Sequence, residues 1–167
     1  VALTKVPSLD LYREPDPFRV PKLREFRDRI DVEEFATMCV AGFPEPKTFS
    51  SRVARVLRDR VDDFDIAHDN QVLGYGMLEI EKMGLPLLTT IHHPITFDRR
   101  IDLAATRNPW RKVTLSRWYG FLRMQKKVAR KARFILTPSE ASKRDIATDF
   151  GVDPERMQVL LLGVDDG

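Results

Sequence analysis

Imidazole gains and loses its proton near neutral pH, and this chain has three histidines, His68, His92 and His93. Two are adjacent in TTIHHPITFDRR, residues 89–100, where apolar and β-branched residues run into a proline. An imidazole at a strand end is fixed by the strand and presented by the loop, placed to hydrogen-bond a ligand or move a proton. Reading FDIAH as one strand and LPLLTTIH as another puts all three histidines on one sheet edge. Each also has an ordinary alternative as a cap or as the partner of a loop carbonyl. A zinc site built from the three lacks the cysteine or carboxylate spacing that such sites use. Cys39, the one cysteine, lies among apolar residues and is expected in the core; it excludes an intrachain disulfide.

The elements that position these residues follow from the hydrophobic pattern. The 167 residues suit one domain, and 43% hydrophobic with 32% charged residues is a globular composition. No apolar run is long enough to cross a bilayer, and the opening residues do not read as a signal peptide, so the cytoplasm is the expected location. The first thirty residues contain four prolines and read as extended and irregular. Asp31 is the expected N-cap of a helix with Val32, Phe35, Ala36, Cys39 and Val40 on one face. A second amphipathic helix is expected from about Ser50 to Val61, with Val53, Val56, Leu57 and Val61 inward and its arginines solvated.

From Asp63 onward strands and helices alternate. The strand FDIAH precedes a helix in NQVLGYGMLEIEKMG, and LPLLTTIH precedes a long helix opened by Asn108 and Pro109. RFILTP is the next strand, followed by a helix from Ser139 to Gly151, and MQVLLLG is the last. Such alternation predicts an α/β fold with a parallel sheet, Rossmann-like, with helices on both faces. In such sheets ligands bind beyond the carboxyl ends of the strands, and this edge is where the histidines, Ser139 and Glu140 fall.

The stretches DFDIAHDNQVLGYG, GLPLLTTIHHPITFDRR and RWYGFLRMQKKVARKARFILTPSEASKRDIATDFGVDPERMQVLLLGVD together resemble the N-terminal, acceptor-side domain of family 4 glycosyltransferases. These are retaining enzymes of the GT-B architecture. The likeness is good over roughly residues 60–167 and looser before. It implies one partial domain over residues 1–167, without the family's first strand and Gly-rich loop and without the C-terminal donor domain. It implies no resident cofactor and no metal. The nucleotide-sugar is a substrate held mainly by the missing domain, and the acceptor is a lipid, a glycan or a small molecule.

By correspondence His92 matches the family's active-site histidine, facing the transferred sugar. His68, Asn70, Gln71, Gly74, His93, Asp98 and Arg99 are implied around the acceptor, with Gly76 and Arg100 beside them. Ser139 and Glu140 would offer free helix amides on the donor side, or Ser139 is simply an N-cap. Gly163, Val164 and Asp165 are the expected interdomain hinge. Leu162 departs from the asparagine usual before GVD. A non-catalytic α/β module that binds a ligand or an anionic surface is the competing reading.

Residues 103–139 contain no acidic side chain. Arg111, Lys112, Arg117, Arg123, Lys126 and Lys127 interleave there with Trp110 and Trp118. Such a helix suits an anionic membrane surface, each basic residue near it contributing about 1 kcal/mol, or is a solvated face over aromatics packed on the sheet. No nucleic-acid motif accompanies the charge, so nucleic acid is not an expected partner.

Overall fold

The computed structural model describes residues 3–161 and Gly163. The irregular opening is anchored by Leu9 and Leu11, both buried, and by the buried Arg19, which donates to the Leu9 carbonyl at 2.7 Å and pairs with Glu25. Helix α1 spans Arg29–Cys39 and α2 spans Glu45–Leu57. Strand β1, Ala67–Asn70, leads to α3, Tyr75–Lys82. Strand β2, Leu87–Thr90, is followed by three helices: α4, Thr96–Ala105; α5, Pro109–Trp118; and α6, Leu122–Ala129. Then come β3, Phe134–Thr137, α7, Glu140–Phe150, and β4, Met157–Val159.

The strands form a four-stranded parallel sheet in the order β1-β2-β3-β4, flanked by helices, which is the α/β Rossmann-like class. Ile91, Ile135 and Met157 pack with α6 and α7 around Val128, Ile146 and Phe150. Leu87 packs with Ala54 of α2 and with Met77 and Ile80 of α3. Side chains alternate across a strand, so both clusters draw on one face of the sheet. On the other, Ile66, His68, Phe134 and Leu160 are exposed, and the second helical layer expected there is not among the described residues.

Several local expectations need correction. The N-cap of α1 is Asp28, whose carboxylate accepts from the amides of Ile30 and Asp31. Asp31 lies one turn inside and is buried with Glu34, whereas Val32, Val40 and Cys39 are exposed. The buried face of α1 is acidic because Arg52 of α2, only 4% exposed, meets it: one guanidinium nitrogen lies 2.6 Å from Asp31 and also pairs with Glu34. Thus α2 begins earlier than the pattern implies, and Arg52 is not solvated.

The long helix expected from Asn108 is broken. Asn108 does cap α5, accepting from Trp110 and Arg111, but a 3₁₀ turn at Tyr119–Phe121 separates α5 from α6. Gly120 weakens the helix at that point, while Trp118 turns into an aromatic cluster with Tyr12, Phe18 and Phe43. Helix α4 occupies residues for which the hydrophobic pattern indicates no element. Val164 and Asp165 of the expected hinge, and Leu162, lie outside the described residues; Gly163 is exposed and belongs to no element.

Candidate active site at the strand ends

Strand β1 continues past His68 to Asn70, and this extension decides what meets at the sheet edge. His68 pairs in register with Leu88, inside the strand, and its Nε2 lies 2.7 Å from Thr90 Oγ1 on the exposed sheet face. It therefore does not end β1, as the sequence reading had it. Asn70 takes that place: its Oδ1 is 2.7 Å from His92 Nε2. With the Asn70 carbonyl as acceptor, Nε2 carries the proton, and Nδ1 is left as an acceptor.

The loop after β1 is locked to the loop after β2 by one side chain. Gln71 Oε1 accepts from the His92 amide at 2.6 Å, and Gln71 Nε2 donates to the His93 carbonyl at 3.0 Å. Gln71 and Leu73 both have left-handed backbone, φ +63° and +52°, which a side-chain-bearing residue holds only under constraint. The constraint comes from Asp69, whose buried carboxylate accepts from the amides of Val72 and Leu73 at 2.9 and 3.0 Å. Burial pushes the Asp69 carboxyl above the ordinary aspartate value, and those two amide bonds only partly offset it. From below, Gln125 Nε2 donates to the Gln71 and Val72 carbonyls at 3.4 and 3.2 Å.

The other candidates distribute around this cluster. His93 is exposed, with Nε2 3.8 Å from Asp98. Arg99 is half-buried on α4, and Arg100 pairs with Asp149 of α7 at 2.9 Å while stacking on Phe97. Gly74 and Gly76 serve helix packing: a Cβ on Gly74 would overlap Ser50 Oγ and the Pro46 carbonyl, and one on Gly76 would overlap the Ser50 carbonyl. Ser139 caps α7 by accepting from the Ser142 amide at 3.1 Å, and Glu140 is exposed beside it. Among the described residues no group of three or more His, Cys, Asp or Glu is placed to hold a metal ion.

A cleft of about 450 Å³ opens beside Asn70 and Gln71. Its walls include residues far from the strand ends in sequence: Val6 and Ser8 of the N-terminal segment, Glu34 of α1, Glu45, Phe49 and Arg52 of α2, and Gln125 of α6. One signal for Gln125 was present, a lone uncharged polar residue on the stripe Leu122, Val128 and Ala129 that otherwise faces the core. For the Glu34–Arg52 pair the signal was weaker: two acids, Asp31 and Glu34, three residues apart on one face of α1.

A one-directional parallel sheet whose polar groups and cleft gather beyond its strand ends defines a Rossmann-like α/β domain. Residues 12–167 match the family model described as Glycosyltransferase Family 4, and the chain belongs to that family. Over 165 residues, 99% of this chain, it is 61% identical to an MMP alpha-(1->4)-mannosyltransferase of Mycolicibacterium hassiacum. The chain spans about 40% of that relative's length.

Proposed function

We propose that these residues form the acceptor-side part of a retaining mannosyltransferase that moves a sugar from a nucleotide-sugar donor to a glycan acceptor. The donor is held mainly by sequence beyond this chain. The observation that carries the reading is the His92 imidazole, oriented by Asn70 and backed by a loop pinned through Gln71, two residues that line a cleft. With Nε2 committed to Asn70, Nδ1 of the neutral ring accepts from a sugar hydroxyl, and Nδ1–H of the protonated ring donates to the charge that develops on the departing diphosphate. Such a group acts without reorganising because a strand end and two side chains already hold it. The name of the 61% identical relative supports mannose as the sugar and an α-(1→4) linkage.

The test is turnover of a nucleotide-activated α-mannose donor by the complete enzyme, with the product's anomeric configuration read by NMR. An α-mannosyl product supports the reading, and a β-mannosyl product or no product rejects it. A non-catalytic binding module would bind acceptor without consuming donor.

A second feature supports peripheral contact with an anionic membrane surface. Trp110 is 80% exposed on α5, Val113 of α5 and Phe97 and Ile101 of the neighbouring α4 are exposed as well, and Arg111 and Lys112 follow Trp110 in exposed positions. Arg117, Arg123 and Lys127 are also exposed, and Lys126 is half-buried. Exposed apolar and basic side chains on the same helices suit a headgroup layer. Trp118 is not part of this face, being engaged with Phe43 at a ring separation of 4.9 Å.

A further inference from the structure

Only His93, Pro94 and Ile95 separate His92 from Thr96, the first residue of α4. Pro94 is buried, and its carbonyl accepts from the Phe97 amide at 3.2 Å, so the loop runs into the helix without slack. Where α4 sits therefore decides where the far side of the His92 loop sits. Apolar burial contributes little to that placement. Thr96 is the one buried residue of α4, Phe97 and Ile101 are exposed, and α5, against which α4 chiefly packs, buries no residue.

The anchor is polar and comes from α7. Thr96 Oγ1 donates to Asp149 Oδ2, and one turn further on Arg100 Nη1 donates to Asp149 Oδ1 at 2.9 Å. One carboxylate thus grips α4 at two successive turns, with a separate oxygen for each. Asp149 is itself fixed, because Phe150 beside it and Ile146 on the same helix are buried in the core with Ile135 of β3 and Met157 of β4. Burial pushes the Asp149 carboxyl up, but the hydrogen bonds from Thr96 and Arg100 outweigh it and hold the group below the ordinary aspartate value. It therefore accepts both bonds as a carboxylate, and bonds to an ionised acceptor are about twice as strong as neutral ones. A second tie, from Tyr119 Oη to Asp102 Oδ2 at 2.6 Å, is exposed, lies farther along α4, and joins it to the 3₁₀ turn instead of the core.

We propose that Asp149 is a positioning residue for His92, acting through Thr96: it fixes the first turn of α4 and with it the far side of the loop that Gln71 pins from the near side. This rests on the transferase reading, in which His92 faces the transferred sugar. The test compares the complete enzyme with its Asp149→Ala and Thr96→Val variants, and with Tyr119→Phe as a control at the exposed tie. Sugar transfer from a nucleotide-activated mannose donor gives kcat and the donor KM, and nitrogen-15 NMR of the His92 imidazole reads the ring independently of transfer. Asp149→Ala and Thr96→Val should each lower kcat about ten-fold, the scale of a slightly misplaced catalytic group, with the donor KM unchanged. In both, the Nε2–H signature of His92 should give way to a mixture of tautomers. Thr96→Val keeps the shape of the side chain and removes only the hydroxyl, so its effect is read in a protein that melts near the wild-type temperature. The double variant should be no slower than Asp149→Ala alone, because the two side chains act as one unit. Tyr119→Phe should change neither kcat nor the imidazole signature. Wild-type kcat and imidazole signature in Asp149→Ala and Thr96→Val, whether or not the melting temperature falls, overturn the assignment, as do kcat losses that add in the double variant. An imidazole signature that changes as described in an enzyme that transfers no sugar upholds the positioning and rejects the transferase reading instead.

Discussion

His92 Nε2 lies 2.7 Å from Asn70 Oδ1, so the last residue of β1 sets the tautomer of the imidazole that follows β2. The two residues are 22 positions apart in sequence and meet only because β1 and β2 are parallel neighbours with Asn70 in register with Thr90.

Removing that partner releases the ring without touching it. In the complete enzyme Asn70→Ala should lower kcat about 10- to 100-fold, the cost typical of a misplaced catalytic group, while the protein melts near the wild-type temperature. Nitrogen-15 NMR of the imidazole should show Nε2–H as the dominant tautomer in wild type and a mixture in the variant. A wild-type ring protonated chiefly on Nδ1 contradicts the assignment.

Gly74, the N-cap of α3, and Gly76 in its first turn are tested by a methyl group. Gly74→Ala and Gly76→Ala each force a Cβ into α2, at Ser50 and the Pro46 carbonyl for the first and at the Ser50 backbone for the second. Each should destabilise the fold by about 1–3 kcal/mol in chemical denaturation. If Gly74 instead only made room for ligand, Gly74→Ala would weaken acceptor binding with stability unchanged.

The buried charges between α1 and α2 give stability a defined acid limb. Burial pushes Asp31 upward, but hydrogen bonds from Arg27 and Arg52 outweigh it and leave the carboxyl below its ordinary value of 3.8. A carboxyl lowered on folding stabilises fully above its unfolded value and loses that contribution as pH falls through the folded one. Denaturation midpoints should therefore fall below about pH 4, and Asp31→Asn should flatten that fall. Arg52→Met, which strands Glu34 without its partner, should cost about 3–5 kcal/mol near neutral pH.

The two tryptophans should separate by role. Trp110→Ala combined with Lys112→Ala should weaken co-sedimentation with phosphatidylglycerol vesicles at low salt and leave the melting temperature unchanged. Trp118→Ala should lower the melting temperature, since it removes a ring packed on Tyr12 and Phe43. Vesicle binding that is absent at low salt contradicts the membrane-facing surface.

Much of this was legible in the sequence because strand alternation and caps are local. The strands of residues 67–159, the Asn108 cap, the Ser139 cap and the Gly151 terminus all follow from short-range patterns. His92 at a strand end was legible for the same reason. Its partner was not: the pattern FDIAH ends at His68, whereas two further strand residues move Asn70 to the edge and leave His68 on the sheet face. The cleft walls were hidden because they depend on contacts across long separations. Arg52 meets Asp31 and Glu34, 21 and 18 residues away, and Gln125 meets Val72, 53 residues away. No periodicity within a helix reports which opposing charge it will find. The break at Gly120 was likewise decided by Trp118 turning toward Tyr12, far earlier in the chain.

The measurement closest to the central claim is sugar transfer from a nucleotide-activated mannose donor by the complete enzyme and its His92→Ala variant, both checked for native folding. We expect the variant to lose about 100-fold or more in kcat, the scale of a positioned acid–base or charge-stabilising group. Transfer at the wild-type rate by a correctly folded His92→Ala enzyme would remove His92 from the chemistry, and with it the strand-end cluster as the active site.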